Sequence, residues 1–314
     1  MAVAADAPRR NHAGAVHAER MRLVRAVRAR WVDCLALAVK PLRSPTARPV
    51  VPHAVHANRG VEAAYRRALE RLIEAMARSV IWHVTRAYAA DQPVHGLAQD
   101  APNSSIRLRR VLSKWGRKWI ARFNALSTEM AARFADKATR TTETAFMASL
   151  KDAGFTVSFS TTPAQQSAYA AVIAENVGLI RSIPQQFLKD VETSVWQSVM
   201  AGHDVNTLAK DLHAKYDITW RRAALSARDQ NNKAKAVIEN VRRRELGIKE
   251  AIWIHSGGGR TPRPSHVKAG RDRQRFDVAK GWYDPDEEKW ILPGQLISCR
   301  CVSRPVIPGY NDGA

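Results

Sequence analysis

The stretch VEAAYRRALERLIEAMARSVIWHVTRAYAA, residues 61–90, decides the fold class. Its apolar positions Val61, Tyr65, Leu69, Leu72, Met76, Val80, Val84 and Tyr88 advance by three or four residues throughout, the spacing that gathers one face of an α-helix. A helix of about eight turns follows. After a loop over 91–105, punctuated by Pro93, Gly96 and Pro102, a second series runs through Leu108, Leu112, Trp115, Trp119, Phe123, Leu126, Met130, Phe134, Ala138, Thr141 and Ala145, and Gly154 closes it. Its mean period of about 3.7 residues belongs to a straight helix rather than to a left-handed coiled coil. The stripe Trp115–Trp119–Phe123 beside Lys114, Arg117 and Lys118 could stack bases, but core packing is the commoner use of such a stripe.

Further along, Phe155, Val157 and Phe159 alternate with Thr156, Ser158 and Ser160, as a short strand or extended connector does. Thr162-Pro163, with Gln165 at the capping-box position, predicts a helix to about Arg181. Ser182-Ile183-Pro184 restarts the pattern, which runs to Gly202. Asp204 caps a short helix over 205–216, and Thr219 or Trp220 opens another that ends at Gly247. At Ile248 the character changes to β-formers over Ala251–His255, then Gly257-Gly258-Gly259, then a Gly/Pro-punctuated tail. The expected fold is therefore mainly α, a long helical body with a small α+β C-terminal module. Its divisions are a basic N-terminal arm and Pro-rich linker over 1–60, a helical body over 61–202 and a C-terminal domain over 203–314.

The chain of 314 residues has a formal charge of +21 and 45% hydrophobic composition, which supports a buried core and excludes wholesale disorder. Such a charge points to a polyanionic partner, unless it is merely spread over solvated faces. Its three cysteines, Cys34, Cys299 and Cys301, cannot make a disulfide framework, so a reducing compartment is expected. The longest apolar run, Cys34–Val39, is far short of a membrane span, and no secretory pattern opens the chain. A cytosolic protein without membrane contact is the expectation.

Two segments concentrate the charge. In the arm, Met21, Val24, Val27, Trp31 and Leu35 recur at helical spacing while Arg22, Arg25 and Arg28 fill the remaining surface; such a helix binds DNA, an acidic surface or anionic lipid, or packs on its own domain. Residues 219–275 hold fifteen Lys/Arg against five acids. Arg221, Arg222 and Arg228 lie near one end of that helix, and Arg242, Arg243 and Arg244 at the other. The latter trio suits the negative end of a helix dipole, and all six are candidates for sequence-independent contact with DNA phosphates.

The C-terminal module holds the residues best suited to chemistry. If 299–307 is a strand, its period of two puts Cys299 and Cys301 on one face and Arg300 on the other. The favoured reading buries both as small hydrophobes with His266 hydrogen-bonded in a loop, and needs no cofactor. Two thiolates and His266 are also three of the four donors of a zinc site, with His255, Asp272 or Asp277 as a fourth. An alternative function follows from the same residues: a metal-assisted nuclease or transferase centred on His266, Cys299 and Cys301, with Arg263 and Arg271 stabilising charge. No phosphate-loop, G-x-S-x-G or H-E-x-x-H motif accompanies them.

Taken in order, Ala227-Arg228-Asp229-Gln230, the helix end Glu245-Leu246-Gly247-Ile248, Trp253-Ile254, Arg263-Pro264-Ser265-His266, Pro293-Gly294 and Ser298-Cys299-Arg300-Cys301 before Pro305-Val306-Ile307 resemble the C-terminal domain of phage minor head, or head-morphogenesis, proteins of the Mu F-like family. The likeness spans about 200–307. It implies a structural virion component without catalytic activity, made in the host cytoplasm and located in the head or at the portal vertex. The partners it implies are the portal protein, the scaffold or major capsid protein, and double-stranded DNA met without sequence preference. Many members carry a C-x2-C pair where this chain has Arg263–His266, so only His266, Cys299 and Cys301 remain here of a metal-binding set.

Overall fold

A computed structural model of the chain describes residues 40–41, 51–90, 102–202, 204–259 and 261–311. Arg22, Arg25, Arg28 and Cys34 lie outside the described residues, as does most of the arm. Four long helices, α1 (Arg59–Ala90), α2 (Pro102–Asp152), α3 (Pro163–Ala201) and α4 (Val205–Glu245), form the body. The eight apolar positions that predicted α1 are all buried. Asn58 starts that helix, its side-chain oxygen accepting the Gly60 and Val61 N–H groups at 2.8 and 3.2 Å. Gly154, at φ 91°, follows the end of α2, where its missing Cβ permits the left-handed backbone. Trp119 and Phe123 belong to the core, together with residues of α1, α3 and α4.

Two expected breaks are absent. Ser182–Pro184 does not separate two helices: α3 continues through Pro184. Proline forfeits one backbone bond and costs about 3 kcal/mol in a helix interior. Here that cost is offset by packing, since Ile180, Pro184, Phe187 and Val191 are all buried along one face. Nor does the chain break between 216 and 219, because Leu208, Leu212, Thr219, Ala223 and Ala227 keep the buried face of α4 unbroken. Thr219 satisfies its hydroxyl by donating to the Lys215 carbonyl at 3.0 Å. The predicted caps are both formed. Thr162 accepts the Gln165 N–H at 3.1 Å, and Asp204 accepts those of Asn206 and Thr207 at 2.7 and 3.1 Å.

The strand expected around Phe155–Phe159 is confined to β2 (Phe155–Thr156), paired antiparallel with β1 (Lys40–Pro41); Val157–Thr162 is an extended connector. The C-terminal module is built on a three-stranded antiparallel sheet of order β4 (Arg275–Asp277), β3 (Glu250–Ile254), β7 (Val302–Val306). A hairpin of β5 (Trp282–Asp284) with β6 (Lys289–Ile291) and the short helix α5 (Pro264–Arg271) complete it. The module has its own small core of Ala251, Trp253, Ala269, Phe276, Val278, Ile291, Cys299 and Cys301. Helix α4 contributes Leu208, Leu212, Ala223, Ala227, Ala234 and Ile238 to the bundle core, so the expected division at 202/203 runs between two helices of one bundle. Among the described residues no helix is long and apolar enough to cross a membrane.

Near its C-terminal end α4 carries a buried row of charges at i, i+4 and i+8: Lys235, Glu239 and Arg243 are 3%, 2% and 2% exposed. Glu239 pairs with both cations at 2.5 Å. Burial lowers the pKa values of Lys235 and Arg243, and Glu239 opposes that shift. Removing the shared carboxylate leaves two uncompensated buried cations. Glu239→Ala is therefore expected to cost about 3–5 kcal/mol in urea unfolding, against about 1 kcal/mol or less for Arg78→Ala, which breaks an exposed pair with Glu74.

Candidate metal centre and the junction that carries it

The motif Arg228-Asp229-Gln230 lies mid-helix on α4, and with Asn231 and Asn232 it bonds a different neighbour at each position. Arg228 approaches Glu62 of α1 at 3.6 Å. Asp229 accepts the Ser298 N–H at 2.9 Å. Burial raises its carboxyl above the usual range, and that N–H bond works against the rise. Gln230 donates to Glu175 at 3.0 Å and accepts from Asn176 at 3.1 Å, both on α3. Asn231 reaches the Asn58 carbonyl at 2.9 Å, and Asn232 the Cys299 carbonyl at 3.1 Å. The collar therefore fixes the Cys-bearing loop to the bundle. Pro293-Gly294 threads through the same junction. A Cβ on Gly294 would sit 3.3 Å from the Cys301 carbonyl and 3.4 Å from that of Asn232, and its φ is 91°.

Cys299 and Cys301 both face His266, although not as expected. Strand β7 begins only at Val302, so no strand alternation aligns the sulfurs. They lie in the irregular turn before it, where Ser298 takes φ 60°. His266 sits on helix α5 rather than in a loop. Its Nδ1 lies 3.5 Å from Cys299 Sγ and 3.7 Å from Cys301 Sγ, and the three donor atoms all fall within 4.8 Å of one another. All three side chains are buried. On the far side of the ring, Nε2 meets the fully buried Asp284 carboxylate at 3.1 Å. That contact fixes the ring orientation and aims Nδ1 at the sulfurs, as the carboxylate partner of a metal-binding histidine does.

The electrostatics are those of a shared proton. A hydrogen bond from Cys301, and next to it one from His266, lowers the Cys299 thiol against the opposing effect of burial. The same bond to Cys299, with burial, pushes the Cys301 thiol up. Burial opposes charge on His266, but its contacts with Cys299 and Asp284 outweigh that and raise its pKa. Two sulfurs and an imidazole nitrogen in this arrangement offer three donors to a divalent cation.

None of the proposed fourth ligands joins them. His255 is turned to its own loop and accepts the Gly257 N–H at 3.2 Å. Asp272 is exposed beside Arg271, and Asp277 accepts the Ala279 and Lys280 N–H groups in a turn. The carboxylate that matters, Asp284, lies in an Asp-Pro-Asp turn. Its Oδ1 accepts the Asp286 N–H at 3.0 Å while Asp286 caps α5 at Ser265 N, at 3.1 Å. Trp253, fully buried, packs edge-on against His266 at 4.9 Å between ring centroids. Arg263 bonds Glu287 at 3.0 Å and the Ile297 carbonyl at 3.2 Å, and Arg300 is exposed.

Of the candidate phosphate contacts, Arg221, Arg222 and Arg244 are exposed and Arg228 is half-buried. Arg242 and Arg243 are not available to DNA. Arg242 is held by Glu143, by Glu245 at 2.6 Å and by the Ser160 carbonyl at 2.7 Å, while Arg243 bonds Glu239 and Ser303. Buried guanidinium needs such partners, and burial itself keeps both groups from a phosphate at the surface. On α4, Arg222 and Arg244 are about 33 Å apart along the axis, so they do not make one patch.

Residues 189–304 match the family model described as phage Mu protein F like protein. A curated protein of Haemophilus influenzae (strain ATCC 51907 / DSM 11121 / KW20 / Rd), described as an uncharacterized protein, is 36% identical over 137 residues. That alignment covers 44% of this chain and 29% of the relative, so the chain spans less than a third of that protein's length. No solved structure matches the chain significantly.

The module's packing makes one glycine critical. A Cβ on Gly270, in α5, would lie 2.4 Å from the Cβ of His255 and 2.8 Å from its backbone nitrogen. Gly270→Ala is expected to destabilise the chain by at least about 1–3 kcal/mol, read as a lowered urea midpoint, whereas Gly178→Ala, which meets nothing within 4 Å, leaves the midpoint unchanged or raises it.

Proposed function

We propose that this chain is a structural protein of phage head morphogenesis, carried in the virion and acting at the portal vertex during procapsid assembly and DNA packaging or delivery. The supporting observation is the match over residues 189–304, which contains the bonds that lock the C-terminal module onto α4. On this reading the partners are the portal protein, the scaffold or major capsid protein, and double-stranded DNA contacted without sequence preference. The long bundle offers helical surface to a larger assembly, and a charge of +21 suits a DNA-filled interior. Mass spectrometry of purified virions and of empty procapsids is expected to find the chain in both. Its absence from both removes the head reading.

The Cys–His cluster supports a second statement, that it holds a structural zinc ion. His266, Cys299 and Cys301 would be the protein ligands, and the ion would tie helix α5 to the loop entering β7. The alternative of a metal-assisted nuclease or transferase on the same residues has less support. A polymer substrate cannot reach side chains only 3–4% exposed. Elemental analysis is expected to give about one zinc per chain, with Cys299→Ser lowering both zinc content and melting temperature. Protein free of metal whose melting ignores chelator sinks the zinc statement, and DNA cleavage lost specifically in Cys299→Ser favours the enzyme.

A further inference from the structure

Between Asp100 and Glu129 the chain holds seven Lys/Arg and no acid. On α2, Arg107, Arg110, Lys114, Lys118 and Arg122 follow at steps of three and four, so they form one stripe about 22 Å long. All five are exposed. Among the described residues, no carboxylate lies within ion-pairing distance of Arg110, Lys114, Lys118 or Arg122. The contrast with 219–275 is sharp. There Lys233 is paired with Glu175, Lys235 and Arg243 with Glu239, Arg242 with Glu143 and Glu245, and Arg263 with Glu287.

Aromatic rings hold this stripe in shape. His83 of α1 stacks on Trp115 with centroids 3.7 Å apart and planes at 17°. The Lys118 ammonium lies 4.4 Å from the Trp115 centroid, and the Arg122 guanidinium 5.4 Å from that of Trp119. Alongside, Arg86 lies 5.1 Å over Trp82, whose ring meets His83 edge-on at 4.5 Å. Burial lowers the His83 pKa, and Lys114, Lys118 and Arg86 lower it further, so the ring sits amid positive charge. Cation–π contacts restrict these long side chains beforehand, which reduces the entropy lost when they engage a ligand.

We propose that this face of α1 and α2, centred on Arg110, Lys114, Lys118 and Arg122, is a phosphate-binding surface for duplex DNA. It rests on the DNA-contact part of the proposed function and assigns that contact to residues away from the Mu F-like module. A straight row of exposed cations on a rigid helix, with Arg110, Lys114, Lys118 and Arg122 free of ion pairs among the described residues, complements a phosphate backbone and reads no base. Single-strand binding by base stacking is disfavoured, because the rings already carry His83 and the cations. A bilayer is disfavoured because the apolar face of α2 is committed to the bundle core.

The test is fluorescence anisotropy of the full chain with a labelled duplex of arbitrary sequence, titrated over salt. Two charge-matched triple variants are compared, R110Q/K114Q/K118Q and R221Q/R222Q/R244Q, each checked by circular dichroism for an unchanged helix signal. The α2 variant is expected to weaken binding on the order of tenfold and to reduce the slope of log K against log salt by about 3, near 0.9 per lost phosphate contact. The α4 variant should stay within about twofold of the unsubstituted chain. If the α2 variant binds like the unsubstituted chain while the α4 variant loses affinity, the surface is wrong although the DNA reading stands. No duplex binding by the unsubstituted chain removes both, and tighter binding to phosphatidylserine vesicles than to duplex overturns the choice of partner.

Discussion

Arg243 is the constraint around which the molecule is organised. Its guanidinium is 2% exposed, and an ion taken so far from water costs several kcal/mol unless charge and hydrogen bonds replace its hydration. Glu239, one turn back on α4, supplies the charge at 2.5 Å. The hydroxyl and carbonyl of Ser303 in β7 accept at 2.7 and 2.9 Å. The guanidinium's two terminal nitrogens are thus both bonded only when β7 lies on α4. Through the register that pairs Ser303 with Trp253, the rest of the sheet is set against the helix, and Trp253 in turn lines the His266 site. One buried cation therefore couples bundle packing, sheet position and the geometry of the Cys–His cluster.

That coupling changes how the charge of the chain is to be understood. Counted along the sequence, 219–275 is the most conspicuous basic segment, yet several of its cations do structural work inside the protein. Lys235, Arg242 and Arg243 are buried against Glu239, Glu143 and Glu245, with acids supplied by α2 and by α4 itself. Net charge by segment does not show which cations are neutralised, because some of the acids, such as Glu143 and Glu175, come from other helices. Glu143 lies 99 residues from Arg242. The α2 segment over 102–128 is less conspicuous by count, but it contains no acid and its cations face solvent.

Much of the fold was legible because it rests on local rules. The three-and-four spacing of α1, the Thr162 and Asp204 caps and the left-handed glycines after α2 and α4 are set within a few residues, and each appears where the pattern puts it. The misreadings came where tertiary packing overrides a local signal. Pro184 has the local signature of a helix start but is carried in mid-helix by a buried face, and Thr219, expected to open a helix, bonds backward within α4. At the site, His266, Cys299 and Cys301 could be singled out by residue type alone. Asp284 could not be separated from Asp272 and Asp277, because what distinguishes it is complete burial beside the imidazole, a property of the hairpin β5–β6 folding over α5.

The way the bundle and the module share α4 also bears on how such a protein can vary. The matched segment begins at 189, within α3, and ends at 304, within β7. It therefore takes in the last turns of α3, all of α4 and nearly the whole module, which are the parts linked by the Asp229–Ser298, Asn232–Cys299 and Arg243–Ser303 bonds. A change in any of these leaves a buried polar group unpaired, at about 1–3 kcal/mol or more for a charged one. Helices α1 and α2 meet α4 mainly through apolar packing, which tolerates substitution as long as volume and pattern are kept. The outer faces of α1 and α2 are thus the part of the molecule where a cation stripe could arise without disturbing the junction that the module requires.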